Sequence, residues 1–161
     1  MKIIPQTPHM PVLRTDFSDD AMWQIVCKAL AKSYHDLTLE IDVKPFAFDV
    51  TLDFISDPQY SGITPEQVLS LITIESFGHN CIFIVDHTTI SESEHPALAM
   101  NLSELFFEDG DEDEETYNEQ EHTFCLLPSE VAAMEINLTL GNMDFEDFST
   151  SVKTDGIFRG F

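Results

Sequence analysis

One short run constrains the fold of this chain more than any other feature of its sequence. Residues 81–85 read Cys-Ile-Phe-Ile-Val and contain no polar residue. A strand with one face in water alternates between apolar and polar residues, whereas a strand covered on both faces is apolar throughout. The run therefore predicts a strand at the centre of a sheet, with helices packed on both of its faces.

Helices are indicated by their N-terminal signals. Ser18 and two aspartates precede an apolar series at helical spacing, Met22, Trp23, Val26, Ala29 and Leu30. Thr64, Pro65 and Gln67 supply an N-cap, a proline at the first helical position and a capping-box glutamine. A third helix is predicted to open at Pro128 and to end at Gly141, and a short helix or turn follows over Asp144–Val152.

Apolar alternation predicts further strands around the central one. They cover Val12–Thr15, Leu37–Ile41, Phe46–Ile55, Ala97–Leu102 and His122–Leu127. Because strands and helices alternate early in the chain, the predicted fold class is α/β, with a mixed, mostly central sheet covered by helices. We expect an extended lead over residues 1–11 and a single domain over residues 12–161, interrupted by a long acidic loop.

The acidic residues are unevenly distributed along the chain. The 161 residues include 30 Asp and Glu but 7 Lys and Arg, which gives a formal net charge of −23. No Lys or Arg lies between Lys44 and Lys153, and residues 45–152 hold 23 of the 30 acidic residues. The two flanks cancel, so the whole net charge belongs to residues 45–152.

The densest acidic run covers Glu108–Glu121, where nine of fourteen residues are acidic. Like charges this close repel one another, so the run is predicted to be a solvated, mobile loop. We expect a partner to bind carboxylates of this loop and of a second acidic patch. These residues are Glu108, Asp109, Asp111, Glu112, Asp113, Glu114 and Glu115 in the loop, and Asp144, Glu146 and Asp147 in the second patch.

This charge excludes some partners and favours others. Direct binding to nucleic acid needs Lys and Arg to neutralise phosphates, and an acidic chain is repelled by anionic membranes. Three explanations of the acidity remain: a basic protein partner, charge that serves solubility alone, and adaptation to high salt. The ordinary apolar content, with 13 Phe, does not favour the salt explanation. A basic partner is the favoured explanation.

Polar residues follow two of the predicted strands and form a candidate small-molecule site. Asp16 and Arg14 lie at the end of the first strand, and Asp86 and His87 follow the central one. In open α/β sheets ligands bind outside the carboxyl ends of the strands, so these side chains could hold a metal or share acid–base work. The simpler interpretation is that Asp16 and Asp86 cap the turns that follow, and we favour it.

Metal sites and catalytic motifs are weak in this sequence. His79, Cys81 and His87 lack the tight paired spacing of zinc sites. The acidic loop alternates as an EF-hand does, but Glu114 replaces the glycine at position six and Gln120 replaces the glutamate at position twelve. No phosphate-binding glycine loop, nucleophile elbow or H-E-x-x-H motif is present. We therefore predict no catalytic residue, no metal and no cofactor.

The compartment is inferred from three features. The N-terminus has no long apolar segment of the kind found in signal peptides, and no stretch of the chain approaches 18 apolar residues. Cys27, Cys81 and Cys125 are an odd number without close spacing and lie in apolar runs, so we expect buried free thiols. These features predict a soluble cytoplasmic protein.

Several segments of the chain, taken together, are similar to those of a domain family. Val12–Trp23 (VLRTDFSDDAMW), Ile136–Phe148 (INLTLGNMDFEDF) and the ending Asp155–Phe161 (DGIFRGF), with DHTTI and EHPALAMNL between them, resemble an uncharacterised bacterial domain family of unknown function. The resemblance brings no activity, cofactor or site residue. We expect the apolar tail to pack on the domain and Arg159 to pair with a carboxylate such as Asp144 or Glu146.

The favoured function is a non-enzymatic binding protein that neutralises a basic protein. Examples of such proteins are an immunity protein that inhibits a bacterial toxin and a nucleic-acid mimic. Two alternatives stay open: a small-molecule or metal-dependent enzyme that uses the strand-end Asp and His residues, and an accessory domain whose charge only confers solubility.

Overall fold

The computed structural model describes residues 2–40, 49–73, 77–103 and 122–161. The strands in these ranges are β1 (Met10–Arg14), β2 (Leu52–Ile55), β3 (Cys81–Val85), β4 (Ala97–Asn101), β5 (Thr123–Leu126) and β6 (Ile157–Phe158). The helices are α1 (Asp20–Glu40), α2 (Pro65–Ser70), α3 (His87–Ser91), α4 (Val131–Leu140) and α5 (Phe145–Ser149). Short 3₁₀ turns cover Pro58–Tyr60 and Pro128–Glu130.

The described strands form one mixed sheet in the order β2-β1-β3-β4-β5-β6. Strand β1 is parallel to both of its neighbours, β2 and β3. Strand β4 is antiparallel to β3 and β5, and β6 is parallel to β5. The predicted α/β class with a mixed central sheet is therefore confirmed, and β1 and β3 lie inside the sheet.

Apolar side chains cover both faces of this sheet. All five residues of β1 and all five of β3 are buried, as the Cys81–Val85 run predicts. Val12 and Phe83 face a core shared with α1 and α4, whereas Leu13 and Ile84 face a second core shared with α2. Alternate residues of each strand thus pack into two hydrophobic layers, one on each face of the sheet, so neither face of these strands is open to water.

The prediction of a strand over Leu37–Ile41 is wrong as far as the structure describes it. Helix α1 continues to Glu40 because Leu30, Tyr34 and Leu37 extend its apolar face at intervals of three and four residues. The strand predicted over Phe46–Ile55 is shorter, starting at Leu52, and its residues 46–48 lie outside the described residues.

Three further elements of secondary structure differ from the predictions. Strand β1 begins at Met10, inside the expected lead, because Met10 pairs with Leu52 and is buried. Helix α3 was not expected, although Asp86 and Thr89 form its capping box. The tail contributes β6, which pairs with β5 and buries Phe158. Its docking is thus as predicted, while Phe161 contacts Phe148 but stays exposed.

The parallel strands give the sheet two distinct edges. We call the edge at the carboxyl ends of β1, β2 and β3 the carboxyl edge, and the opposite one the amino edge. Because β4 runs antiparallel, Asn101 at its end lies opposite Cys81 at the start of β3, on the amino edge. The chain enters residues 104–121 from Ser103 and returns before Thr123, which is paired with Met100 at that same edge.

A buried polar network joins α1 to α4 inside the core. Tyr34 Oη donates a hydrogen bond of 2.9 Å to one Glu135 carboxylate oxygen, and Thr139 Oγ1 donates one of 2.8 Å to the other. Both Tyr34 and Glu135 are at least 98 % buried. Burial, the largest cause, raises the pKa of Tyr34 and keeps the phenol protonated as a donor.

Removing the Tyr34 hydroxyl should destabilise the protein. Tyr34→Phe leaves a buried carboxylate with one donor fewer, so we expect a loss of about 1–3 kcal/mol in urea denaturation. Tyr60→Phe is the matched control, because the equally buried Tyr60 hydroxyl donates to the neutral carbonyl of Ile3 at 3.1 Å. A loss for Tyr34→Phe no larger than that of the control would contradict a special role for Glu135.

Candidate functional site

The carboxyl edge brings Asp16 and His87 together, as the candidate small-molecule site requires. Parallel pairing of β1 with β3 places the chain after Arg14 beside the chain after Val85. Thr15 is fixed there, because its N–H donates to the Val85 carbonyl at 2.9 Å and its carbonyl accepts from Gly62 at 2.8 Å. His87 Nδ1 then lies 2.9 Å from Asp16 Oδ2.

Asp16 also closes the turn that leads into α1. Its Oδ1 accepts hydrogen bonds from the backbone N–H of Ser18, at 2.7 Å, and from the Ser18 hydroxyl. The predicted capping role of Asp16 is therefore confirmed. Burial is the largest influence and raises the pKa of Asp16, but the hydrogen bonds from Ser18 and the contact with His87 outweigh it and lower the pKa overall.

Arg14 lies at the same edge but has its donors engaged within the protein. Its side chain is 5 % exposed, and Nε donates to the Asp16 carbonyl at 2.8 Å. Nη2 donates to the Asp20 carboxylate at 2.7 Å, and the guanidinium lies 4.3 Å from the centre of the Phe17 ring. These contacts tie the end of β1 to the first turn of α1, so Arg14 holds the edge together.

Asp86 has a capping role instead. Its carboxylate accepts a hydrogen bond from the Thr89 N–H at 3.1 Å, and the Thr89 hydroxyl oxygen accepts one from the Asp86 N–H at 3.3 Å, so the pair caps α3. The buried Thr89 hydroxyl in turn donates to the Pro96 carbonyl at 2.8 Å. The capping interpretation of Asp86 is confirmed, and the expected convergence reduces to Arg14, Asp16 and His87.

The zinc ligands considered from the sequence do not converge. His79 and His87 flank opposite ends of β3, and a five-residue strand spans about 16 Å. No group of three His, Cys, Asp or Glu residues that could hold a metal occurs within the described ranges. Cys81 is fully buried, and burial raises the pKa of its thiol to about 12. Burial likewise raises the pKa of Cys27 and of Cys125 to about 11.

The second acidic patch lies at the amino edge. Asp144, Glu146 and Asp147 are exposed on and just before α5, where the Asp147 carboxylate accepts a 2.8 Å hydrogen bond from the Asp144 N–H. None of the three forms an ion pair with a Lys or Arg of the described residues. The predicted partner-binding residues of the acidic loop, Glu108 to Glu115, and the EF-hand-like positions lie outside the described residues.

Arg159 does not pair with the second acidic patch, contrary to expectation. It contacts Glu94 at 2.9 Å and Asp155 at 2.9 Å instead. The pairing of β6 with β5 places Arg159 beside the loop that carries Glu94, while Phe158 and Phe161 of the tail contact Phe148 in α5. Asp144 and Glu146 thereby keep their charge uncompensated by the tail.

A comparison with known protein families finds a family model that matches most of the chain. The chain belongs to the domain family of unknown function DUF6924, whose family model matches residues 9–161. The resemblance to an uncharacterised domain family is thus confirmed. No curated protein matches the chain. None of the described helices is long and apolar enough to cross a membrane.

Replacing Arg14 should weaken the fold rather than a catalytic function. Arg14→Lys keeps the charge but cannot reproduce the two hydrogen bonds from Nε and Nη2 together with the ring contact, so we expect a loss of about 1–3 kcal/mol in urea denaturation. The control is Lys28→Arg on the exposed side of α1, which should change stability by less than about 0.5 kcal/mol. Equal effects of the two substitutions would contradict this role for Arg14.

The lowered pKa of Asp16 gives a pH-dependent prediction. A depressed carboxyl pKa contributes stability that is complete above the ordinary value of 3.8 and is lost as the pH falls below it. Asp16→Asn keeps the shape of the side chain but not its charge, so it should cost about 1 kcal/mol at neutral pH and progressively less below pH 3.8. Urea denaturation across this pH range measures the difference.

The matched control for Asp16 is Asp36→Asn. Asp36 pairs with Lys32 on the exposed face of α1 at 2.6 Å, and surface pairs of this kind contribute about 0.5 kcal/mol or less. A cost of Asp16→Asn that is independent of pH, or no larger than that of Asp36→Asn, would contradict the prediction.

Proposed function

We propose that this protein is a non-enzymatic acidic binding protein that covers the basic surface of another protein. The observation that carries the proposal is the stretch of residues 45–152, which holds 23 acidic residues and no Lys or Arg. Charge of one sign on this scale destabilises a compact domain through self-repulsion. A basic partner that compensates this charge explains why it is retained.

The fold supports the proposal because it exposes the second acidic patch on its surface. Asp144, Glu146 and Asp147 are exposed, and the capping contact within α5 holds their backbone in place. Residues 104–121 join the domain at Ser103 and Thr123, on the same amino edge. The second acidic patch, Ser103 and Thr123 therefore lie at one edge of the sheet.

Physical chemistry favours a charged partner for such a surface. Complementary charge accelerates encounter and excludes partners of the wrong sign, and its long-range part is screened within about 8 Å at physiological ionic strength. A toxin or a nucleic-acid-binding protein has a basic cleft of the required kind. The immunity protein and the nucleic-acid mimic are two forms of this one function.

A second candidate rests on the Asp16–His87 pair. The two groups lie 2.9 Å apart at the carboxyl edge. Strand β2 lies on one side of β1 and β3 on the other, and ligands of open α/β sheets bind where the strand order reverses in this way. A His–carboxylate pair can move a proton in an enzyme. We rank this function second because Arg14 and Asp86, the other members of the expected site, serve structural contacts.

The proposed binding is testable with a partner captured from the source of the protein. The immobilised chain should retain a basic protein at low salt and release it at high salt, and the purified pair should then be titrated by calorimetry. The triple variant Asp144→Asn, Glu146→Gln, Asp147→Asn should weaken the affinity roughly 10-fold, and deletion of residues 108–121 should weaken it further.

The substitutions are chosen to leave the fold intact. Asn caps a helix about as well as Asp, and its oxygen can accept the hydrogen bond that Asp147 accepts now. A control variant that neutralises Glu66 and Glu92, which are exposed beyond the carboxyl ends of β2 and β3, should lower affinity by less than about 3-fold. Capture that is insensitive to salt, or an equal loss in test and control variants, would contradict the proposal and favour a purely solubilising role for the charge.

A further inference from the structure

Two adjoining cavities lie at the amino edge, beside the second acidic patch. Each has a volume of about 390 Å³, and Asn80 and Leu138 line both of them. We call the two together the amino-edge groove. Its size is near the lower end for binding pockets, which suits a side chain or two rather than a large cofactor.

The first cavity combines negative charge, amides and apolar surface. The residues that line it include Asp144, Glu146, Asn101 and Phe145. The Glu146 carboxylate makes no hydrogen bond or ion pair with any described residue, and no described Lys or Arg lines the groove. A cation inserted there would meet an uncompensated carboxylate.

The second cavity also has a lining that favours positive charge. Thr139 in the last turn of α4 lines it, so the negative end of that helix dipole faces the groove. His79 also lines it and has its Nε2 at 2.7 Å from the Thr7 carbonyl. Because a carbonyl only accepts, Nε2 must donate, and the Nδ1 of a neutral His79 is then an acceptor.

We propose that the amino-edge groove binds an arginine side chain presented by a basic protein partner. The guanidinium is favoured over the lysine ammonium because it is planar and weakly hydrated, forms paired hydrogen bonds with carboxylates and packs against aromatic rings. Leu138 and Phe145 suit its apolar stem, and Asp144 and Glu146 suit its charge. This inference rests on the proposed function and narrows it to one recognition element.

Filling the groove without changing its charge separates this site from general electrostatic attraction. Asn80→Trp places a bulky side chain at an exposed position shared by both cavities, and Gln24→Trp on the exposed face of α1 is the matched control. In calorimetric titration with a hexa-arginine peptide, Asn80→Trp should lose roughly 10-fold in affinity while Gln24→Trp keeps the affinity of the wild-type chain. Circular dichroism checks that both variants are folded.

A second pair of variants and a second peptide complete the test. Glu146→Gln should weaken hexa-arginine binding roughly 5-fold, whereas Glu92→Gln, at an exposed position on another loop, should change it by less than about 2-fold. Hexa-lysine, with the same charge, should bind more weakly than hexa-arginine. In nuclear magnetic resonance spectra, hexa-arginine should shift the amide signals of Asn80, Leu138 and Phe145 first.

The outcomes distinguish the groove from the wider function. Equal binding of the two peptides, or no effect of Asn80→Trp, would overturn the groove proposal. If salt-sensitive binding of a basic protein nevertheless survives, the proposed function stands without it. Loss of both would remove the proposed function as well.

Discussion

The parallel pairing of β1 with β3 is the contact on which the rest of the structure depends. Both strands are buried along their whole length, and their side chains supply two hydrophobic layers on opposite faces of the sheet. This burial must outweigh the self-repulsion of a chain with a net charge of −23. It can do so because the strands at the centre of the sheet carry no carboxylate, and the described acidic residues lie in helices, in loops and in the outermost strand β2.

Polar groups that enter the interior are partnered there. Glu135 accepts from Tyr34 and Thr139, and Arg14 donates to a backbone carbonyl and to Asp20. A buried charge without such partners would cost several kcal/mol. The interior therefore uses a few well-satisfied contacts, whereas the carboxylates of the second acidic patch have no cationic partner among the described residues. This contrast is the reason why we propose a binding function at the surface.

The candidate sites were predictable only in part. That Asp16 meets His87 depends on β1 and β3 being neighbours and parallel, a condition that the sequence left open and that the pairing of the two strands fulfils. Arg159 was assigned to the wrong carboxylates, because its partner depends on how β6 pairs, and two apolar residues give no strand signal of their own. The amino-edge groove had no local signal, because Asn80 and Asn101 are far in the chain from Leu138 and Asp144.

The sequence by itself determined the α/β class, the buried central strand, the capped helices and the location of the net charge, because each of these is written in neighbouring residues. Only the tertiary structure decided the length of α1, the existence of α3 and β6, and which polar residues meet at each edge. Short segments are stabilised by the contacts they make rather than by their own propensity, and those contacts exist only once distant parts of the chain have packed together.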